Sequence, residues 1–410
     1  LVLACKQQNI NRVVVTGMSA ITALGDDWQT FKSALAQGKN AVQVMPEWDK
    51  VDGLNTRLAA PVTHFEKPAH YKRKMVRSMG RVSLMATRAT ELALEQAKLI
   101  GEPELTDGST GVSYGSSIGS TAPLVAFGNM METGSMSGVT ATSYIQMMSH
   151  TAPVNIGVFF GLKGRVITTS SACTSGSQGI GYAYEAIKFG RQKIMVAGGA
   201  EELCITEAAV FDTLYATSIK NDSPEQTPKP FDKNRDGLVI GEGACTLILE
   251  ELEHAQARGA NILAEIVGFG SNSDGQHVTH PSAETMQIAI ELALKDADID
   301  KSTIGYVNAH GTATEKGDIA ETNATANALG KVPISSLKSY LGHTLGACGS
   351  IEAWASINMM QDNWFAPTIN LNSVDPECGD LDYIKKQGRE IITDHVMSNN
   401  FAFGGINTSL

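Results

Sequence analysis

The clearest pattern in the chain is a short apolar run, then a turn of small residues, then an amphipathic stretch. Residues Arg165–Thr169 are mostly apolar and β-branched, which predicts a buried strand. Between residues 174 and 190 the apolar positions recur at helical spacing, and the apolar run over residues 193–199 predicts another strand. Cys173 therefore lies in a turn between a strand and a helix.

Apolar runs and helical periodicities alternate along the rest of the chain, in two loosely similar series. This alternation predicts α/β layers with largely parallel sheets, and we divide the chain into residues 1–258 and 259–410. Residues 41–69 are predicted to be irregular. The predicted strands span residues 12–16, 110–114, 165–169, 193–199, 246–250, 264–268, 304–309, 333–336 and 395–398. The predicted helices span residues 26–36, 82–99, 143–160 (one helix or a pair), 174–190, 206–215, 252–258, 284–295, 318–329 and 346–361.

Composition narrows the class of protein. The 410 residues carry a formal net charge of −11 and are 42% hydrophobic, which allows a large core. The acidic balance argues against nucleic-acid binding, and no apolar run reaches the roughly 18 residues of a membrane span. Six cysteines without paired spacing indicate reduced thiols, so we expect a cytoplasmic protein. Leu1–Cys5 faintly resembles a lipoprotein cleavage site, but it lacks a basic, apolar leader, and we interpret it as an extra terminal segment.

Cys173 is the first candidate for chemistry. Free backbone N–H groups and the helix dipole at a helix N-terminus stabilise a thiolate, which predicts a lowered thiol pKa. The small neighbours Ser171, Ala172 and Ser175 would let a substrate carbonyl approach the backbone. Taken alone, Cys173 fits a buried structural cysteine better than a reactive one.

Two histidines in the second half have unusual settings. His310 follows a predicted strand, in a turn of small and hydroxyl residues, and His343 precedes a helix, five residues after Lys338. Glu352 lies nine residues beyond His343 in an otherwise apolar helical stretch. A buried lysine or glutamate is costly unless paired, so we expect these two to have each other or comparable partners. Each histidine alone is also compatible with a hydrogen-bonded core residue.

Two further segments are candidates for binding. The glycine-rich loop Ser398–Asn407 carries Phe401 and Phe403, and is either a simple turn or a movable gate. The basic cluster His70–Arg77 stands out on an acidic protein, and is either a solvated face or a docking surface for an acidic partner.

Five motifs together resemble the β-ketoacyl-acyl-carrier-protein synthases of types I and II, in the thiolase-like condensing-enzyme superfamily. The resemblance runs from about Arg12 to the C-terminus, and it implies an α/β thiolase-like fold. Two similar βαβαβαββ halves would pack as a five-layered αβαβα structure that dimerises, with the nucleophile in the first half and both histidines in the second. The motifs are Ser-Ser-Ala-Cys173-Thr-Ser-Gly, Phe231-Asp-Lys-Asn-Arg-Asp-Gly, Asn-Ala-His310-Gly-Thr-Ala-Thr, Leu-Lys338-Ser-Tyr-Leu-Gly-His343-Thr-Leu-Gly-Ala and Asn-Phe-Ala-Phe403-Gly-Gly.

The resemblance implies a decarboxylative Claisen condensation of malonyl-acyl carrier protein with an acyl group held on Cys173. His310 and His343 would donate N–H groups to the carbanion formed from malonyl, with Lys338 and Glu352 orienting them. No metal and no cofactor are implied beyond the 4′-phosphopantetheine arm of the carrier protein. The other implied residues are Phe403 and the Cys173 amide (oxyanion hole), Phe401 (gate), Thr312 and Thr314 (pantetheine), Ile118 (acyl pocket) and Lys72, Arg73, Lys74 and Lys220 (carrier docking).

The chain departs from the family near its end. It has Asn-Phe-Ala402-Phe-Gly-Gly-Ile406-Asn where the family usually has Ser-Phe-Gly-Phe-Gly-Gly-Thr-Asn, and Ala402 would stiffen the gate. These variants, with the segment around Ile118, are most similar to the synthases of aryl-polyene pigment clusters. The expected partners are an acyl carrier protein and a second subunit, either identical or a chain-length-factor-like homologue. The acyl chain and the pathway, fatty acid or polyene, stay open.

Other classes fit the motifs less well. A noncatalytic chain-length-factor-like subunit would lack the nucleophile, whereas this chain keeps Cys173. A thiolase-type acyltransferase would use a second cysteine, for which Cys348 is the candidate, but the two-histidine pattern argues against it. Type III synthases use Cys, His and Asn, and here the second histidine is present. A zinc site of Cys173, His310 and His343 would lack the local ligand spacing of structural sites.

Overall fold

The computed structural model describes residues 10–410, so Leu1–Cys5 lies outside the described residues. The strands form two large sheets and two small ones. They are β1 (Val13–Thr22), β2 (Gln43–Val44), β3 (Leu58–Ala60), β4 (Thr110–Gly115), β5 (Val166–Thr168), β6 (Ile194–Glu201), β7 (Ile240–Gly241), β8 (Gly243–Glu251), β9 (Ala264–Ile266), β10 (Gly270–Ser273), β11 (Ile304–Asn308), β12 (Pro333–Ser335), β13 (Trp364–Phe365), β14 (Asp382–Tyr383), β15 (Arg389–Glu390), β16 (His395–Ala402) and β17 (Ile406–Ser409).

The helices cover the sheets, and short 3₁₀ turns precede several of them. No helix within residues 10–410 combines the length and the apolar character needed to cross a bilayer. The α-helices are α1 (Trp28–Ala36), α2 (Arg73–Val76), α3 (Arg81–Gln96), α4 (Ala122–Thr133), α5 (Ser143–Met147), α6 (Thr151–Phe160), α7 (Ser175–Lys188), α8 (Ile205–Asp212), α9 (Leu252–Ala257), α10 (Ala283–Ala297), α11 (Glu315–Leu329), α12 (Lys338–Leu341) and α13 (Cys348–Gln361).

Both large sheets mix parallel and antiparallel strands. The first has the order β5-β4-β6-β8-β1-β9 and the second the order β10-β17-β16-β11-β12-β14. In the first, β4 is parallel to β5 and β6, while β8 is antiparallel to β6 and β1. The expectation of largely parallel sheets is therefore wrong. An apolar run indicates a strand that is buried on both faces. An antiparallel strand between two layers of helices is buried in the same way as a parallel strand, so the run does not reveal strand direction.

The two large sheets enclose a layer of helices. α7 and α13 pack against each other and lie between the sheets, in contact with β6 and β8 on one side and with β16 and β17 on the other. α3 and α6 cover the outer face of the first sheet, and α10, with α11 packed on it, covers the second. The layers follow the predicted αβαβα order. β9 lies beyond residue 258 yet pairs with β1 in the first sheet, and the division of the chain at residue 258 stays a prediction.

Several element boundaries differ from the predicted ones. β1 continues past Gly17, where an added Cβ would lie 2.2 Å from the carbonyl oxygen of Ala93, so this glycine allows α3 to pack against bare backbone. The stretch predicted to be irregular contains β2 and β3, and α4 was not predicted at all. Residues 143–160 form a helix pair, one of the two predicted alternatives.

Candidate active site

Cys173 lies in a short 3₁₀ turn between β5 and α7, as the strand–turn–helix pattern predicts. β5 is an edge strand and is largely exposed, so the prediction of a buried strand there is wrong. Ala172 in this turn has a left-handed φ of 50°. Local side chains hold the turn: the hydroxyl of Ser175 donates to the carbonyl of Ala172 at 2.7 Å, and that of Thr174 to the carbonyl of Ser171 at 2.8 Å. The hydroxyl residues around Cys173 thus stabilise the turn.

Burial controls the protonation of Cys173. Its side chain is 3% exposed, and burial raises its pKa to about 11, although the backbone N–H of Phe403 and the ammonium of Lys338 work to lower it. The predicted lowering of the pKa by the helix N-terminus is therefore wrong, because lost solvation outweighs the backbone dipoles. At neutral pH the side chain of Cys173 is therefore mainly a thiol.

His343 stands next to the thiol. Its Nε2 lies 3.0 Å from Cys173 Sγ, and its Nδ1 accepts from the backbone N–H of Leu345 at 3.3 Å. Burial and the nearby Lys338 hold the pKa of His343 well below its ordinary value, so the ring is neutral. A neutral imidazole that accepts at Nδ1 carries its hydrogen on Nε2, and His343 therefore points an N–H donor at the thiol.

His310 is arranged in the same way. Its Nδ1 lies 3.3 Å from both Lys338 Nζ and Asn400 Nδ2, two donor groups, so its hydrogen is also on Nε2. Burial, Lys338 and His343 lower the pKa of His310 well below its ordinary value. The two imidazole rings meet edge to face, 5.2 Å apart. Two neutral N–H donors thus share one space beside Cys173.

The predicted buried ion pair is present behind the histidines. Lys338 Nζ contacts Glu352 Oε1, and both side chains are almost fully buried. Burial by itself would lower the pKa of Lys338, but Cys348 and Glu352 hold it above its ordinary value. Asn400 donates to Glu352 Oε2 at 2.7 Å. Asn400 is not among the predicted site residues, because only the strand register shows which of the neighbouring asparagines faces the site.

Two buried carboxyls on α11 hold the loop of His310. Glu321 accepts the backbone N–H groups of His310 and Gly311 at 2.6 and 2.7 Å, and burial raises its pKa to about 8. Asp318 accepts the backbone N–H of Phe231 at 2.8 Å, and burial raises its pKa to about 6. The sequence analysis missed both. Their spacing of three residues, directly after the His310 motif, was the available signal.

A cavity of about 370 Å³ connects this cluster with the surface. It is lined by Cys173 and both histidines, and by Thr312 and Thr314, whose hydroxyls are 2.9 Å apart. Phe401 and Phe403 also line it, as do Phe211, Tyr215 and Lys316. The cavity therefore joins the predicted nucleophile, both histidines, the pantetheine-binding threonines and the gate phenylalanines.

The predicted gate loop is shorter than expected. β16 continues to Ala402 and pairs with β17 from Ile406, so only residues 403–405 form the turn. Phe403 at this turn is 36% exposed and packs edge to face against Phe211, 5.9 Å away. The ladder tethers both ends of the segment, which limits any gate motion to the turn.

Some predicted residues lie away from the cavity. Ile118 follows β4 and is partly buried, but it is not among the described residues that line the cavity. Lys72, Arg73 and Lys74 are exposed at α2, and Lys220 is partly buried. Cys348 does not line the cavity either, so it has no access to a substrate there. This observation removes the thiolase-like role considered for Cys348.

Cys173, His310 and His343 could hold a metal by distance alone, since their donor atoms lie within 4.8 Å of one another. The hydrogen bonds argue against it. Both Nδ1 atoms accept hydrogen bonds, which leaves the hydrogens on the Nε2 atoms that a metal would need. The ammonium of Lys338 is a further obstacle to a divalent cation. The cluster instead suits developing negative charge.

Comparison with known proteins decides the family. The model for the N-terminal domain of β-ketoacyl synthases matches residues 10–255, and the model for their C-terminal domain matches residues 263–372. The chain belongs to the β-ketoacyl synthase family. The predicted condensing-enzyme class and thiolase-like fold class are thereby confirmed, and the chain is an acyltransferase of this class.

Individual relatives agree over nearly the whole chain. The 3-oxoacyl-[acyl-carrier-protein] synthase 2 of Synechocystis is 38% identical over 406 residues, covering 97% of each chain. The crystal structure of a β-ketoacyl synthase from Burkholderia phymatum has a TM-score of 0.96 and 61% identity, covering 98% of each chain. A type II polyketide ketosynthase, in complex with its acyl-carrier protein and bound to a hexaketide, has a TM-score of 0.84 and 32% identity, covering 98% of each chain.

Proposed function

We propose that the chain elongates an acyl group held on Cys173 with two carbons from a malonyl group carried on an acyl carrier protein. One observation supports this most directly: a thiol and two neutral imidazole N–H donors meet at the inner end of one cavity. Thioester exchange needs the thiol, and the charge formed from malonyl needs donors that are already in place.

In the first half-reaction, Cys173 Sγ attacks the carbonyl carbon of the acyl thioester. A bond forms from Sγ to that carbon, the bond to the carrier sulfur breaks, and the thiol proton of Cys173 ends on the departing carrier thiol. The product is acyl-Cys173 and free carrier. Because the pKa of Cys173 is raised, the thiol is its prevailing form, and the proposed attack starts from the thiol.

In the second half-reaction, a malonyl thioester occupies the cavity. Its carboxylate leaves as CO₂, and the electron pair of the broken carbon–carbon bond forms an enolate on the thioester oxygen. The Nε2–H groups of His310 and His343 donate to that oxygen. The carbanion carbon then attacks the carbonyl carbon of acyl-Cys173, which forms the new carbon–carbon bond and breaks the bond to the cysteine sulfur. The sulfur leaves as a thiolate and takes up a proton from water, which restores the thiol.

The tetrahedral oxyanion formed during these attacks needs its own donors. We assign the backbone N–H groups of Cys173 and Phe403 to it, since both act on the Cys173 sulfur. Phe401 and Phe403 flank the cavity and serve as the gate, with the motion confined to the turn at residues 403–405. Thr312 and Thr314 hold the pantetheine amides through their paired hydroxyls.

The carrier protein would dock on basic residues of the protein surface. Lys72, Arg73 and Lys74 are exposed on a protein of net charge −11 and are the candidates, together with the partly buried Lys220. An acidic carrier would be repelled by the overall charge, so productive encounter favours a local positive region. The solved ketosynthase in complex with its acyl-carrier protein supports a carrier as the partner.

A second subunit is supported by an uncovered sheet edge. β5 is the edge strand of the first sheet, Val166 on it is 51% exposed, and Val158 on the adjacent α6 is 75% exposed. An exposed edge with apolar side chains favours pairing with another chain. We propose a dimer formed there, with either an identical subunit or a chain-length-factor-like homologue, in which the partner completes the acyl pocket beside Ile118.

The pathway follows from the same proposal. The variant residues Ala402 and Ile406 favour a cytoplasmic synthase of an aryl-polyene cluster over one of primary fatty-acid synthesis. Native mass spectrometry after purification from the host tests both points. A homodimer that is fully active on short saturated primers would favour fatty-acid synthesis, whereas co-purification with a homologue that lacks the nucleophile would support the polyene pathway.

An elongation assay tests the central reaction. The purified protein, a carrier protein, a malonyl donor and acyl primers of several lengths and unsaturation are combined, and carrier-bound products are read by mass spectrometry. We expect products longer by two carbons, and we expect Cys173→Ala to abolish both acylation and elongation. Cys204→Ala, which changes a cysteine outside the cavity, is the matched control. Acylation undiminished in Cys173→Ala would contradict the proposal.

A further inference from the structure

Cys348 is a second thiol close to the nucleophile that the proposed reaction does not use. It begins α13 and is 2% exposed. Burial raises the pKa of Cys348 well above its ordinary value, so at neutral pH it is an S–H donor and not a thiolate. Because it does not line the cavity, it cannot meet the substrate. Any role in the reaction must act through its neighbours.

One neighbour is the nucleophile itself. Cys348 Sγ donates to the backbone carbonyl of Cys173 at 3.2 Å. The two preceding carbonyls accept from the hydroxyls of Thr174 and Ser175, so three consecutive carbonyls of this turn receive side-chain donors. The left-handed Ala172 makes the turn one that needs such support. The two hydroxyl bonds are local, whereas the Cys348 bond comes from the other half of the chain.

The other neighbour is the support of His310. Asn400 Nδ2 lies 3.6 Å from Cys348 Sγ, 3.3 Å from His310 Nδ1 and 2.7 Å from Glu352 Oε2. An amide nitrogen has two hydrogens, so three acceptors share two donors. Cys348 therefore connects the group that orients the histidine with the peptide of the nucleophile.

We propose that Cys348 is a positioning residue that holds the Cys173 peptide in register with His310 and thereby sets the rate of acyl transfer to Cys173. The inference rests on the proposed role of Cys173 as the acylated residue. Without the thiol, the Cys173 carbonyl loses this donor from the second half of the chain, and the strained turn is held only by its own hydroxyls. Small displacements of an attacking atom lower the rate steeply.

The test separates positioning from simple loss of packing. Cys348→Ala and Cys348→Ser are compared with Cys245→Ala, which removes the same volume from another fully buried cysteine that makes no described hydrogen bond to the turn. Acylation of Cys173 by an acyl-pantetheine thioester is followed by rapid quench and intact mass. We expect Cys348→Ala to lower the maximal acylation rate about fivefold, as for loss of one hydrogen bond, with unchanged half-saturation. Cys348→Ser should recover part of the rate, because its hydroxyl keeps a donor.

Decarboxylation of malonyl carrier gives the second readout. It should stay within about twofold of the unmodified protein, since Asn400 continues to serve His310 when the thiol is gone. Equal acylation rates in Cys348→Ala and Cys245→Ala would overturn the positioning role, while acylation persisting in Cys173→Ala would overturn the proposed function instead. If Cys348→Ala does not fold, Cys348→Val, which fills the space without a donor, takes its place and the same outcomes decide.

Discussion

At the scale of single residues, the pKa of Cys173, the proposed nucleophile, depends on its burial more than on its position at a helix start. Burial raises the pKa of Cys173 to about 11, so only a small fraction of the side chain is a thiolate at neutral pH. At pH values below the pKa, that fraction increases about tenfold for each unit by which the pH rises. We therefore expect alkylation of Cys173 by iodoacetamide to accelerate steadily up to about pH 10. Peptide mapping measures the alkylation rate of Cys173 at each pH, and the rate for a free thiol such as glutathione is the reference. A rate that levels off near pH 8 would show a stabilised thiolate.

In the proposed reaction, the two histidines stabilise a charge that appears only after acylation. Replacing His310 or His343 with Ala should lower malonyl decarboxylation by about 10²–10³-fold, the usual cost of losing one preorganised donor. Acylation of Cys173 should persist in part, because that step uses the thiol. Release of CO₂ and the intact mass of the protein report the two steps separately. Loss of acylation as complete as in Cys173→Ala would mean that the histidines activate the thiol.

At the scale of elements, the buried pair of Lys338 and Glu352 joins α12 to α13. Lys338→Met would leave Glu352 buried without its ammonium, and we expect a loss of about 3–5 kcal/mol in unfolding free energy near neutral pH. Burial already raises the pKa of Glu352, and the variant would raise it further. The destabilisation is therefore complete above the raised folded-state pKa of Glu352, fades as the pH falls through that value, and is gone below the unfolded-state pKa of a glutamate.

Thermal unfolding at about pH 8 and about pH 5 measures this loss and its recovery in acid. The exposed pair of Lys32 and Asp362 offers a matched control, since Asp362→Asn should cost less than about 1 kcal/mol. The double variant Lys338→Met with Glu352→Leu should be more stable than Lys338→Met alone. If Lys338→Met were as stable as Asp362→Asn, the buried ion pair would not be needed for the contact between α12 and α13.

At the scale of the whole molecule, the proposed carrier docking depends on the distribution of surface charge. Reversing Lys72 and Arg73 to Glu should raise the apparent KM for acyl carrier, with a steep dependence on salt, and should change kcat little when a small pantetheine thioester replaces the carrier. Reversing Lys385 and Lys386, two exposed lysines outside the basic cluster, changes the net charge equally and serves as the control. An equal loss with both donors would identify the cluster as structural.

The two halves of the molecule contain similar turns before their central helices, a similarity that the sequence only suggests. The turn before α7 holds Cys173 and has a left-handed Ala172, and the turn before α13 has a left-handed Leu345, two residues after His343. The two helices pack between the sheets, so both turns end at the same place. Local periodicity predicted each strand–turn–helix unit separately. That the two turns lie next to each other depends on how the layers pack.

The sequence by itself determined the local units and the candidate residues. Small and hydroxyl residues around Cys173 and around His310 predicted tight turns after buried strands, and an apolar run holding Glu352 predicted a buried charge with a partner. These follow from backbone geometry and from the cost of burying charge, which depend on near neighbours in the chain. The family resemblance rests on the same short motifs.

Only the tertiary structure decided the rest. Strand direction, the hairpin that shortens the gate and the placement of Asn400 depend on pairings between residues far apart in the chain. The raised pKa of Cys173 and the Nε2–H form of both histidines depend on burial and on hydrogen-bond partners from other elements. Periodicity indicates which positions are buried, whereas these properties depend on which groups surround each residue.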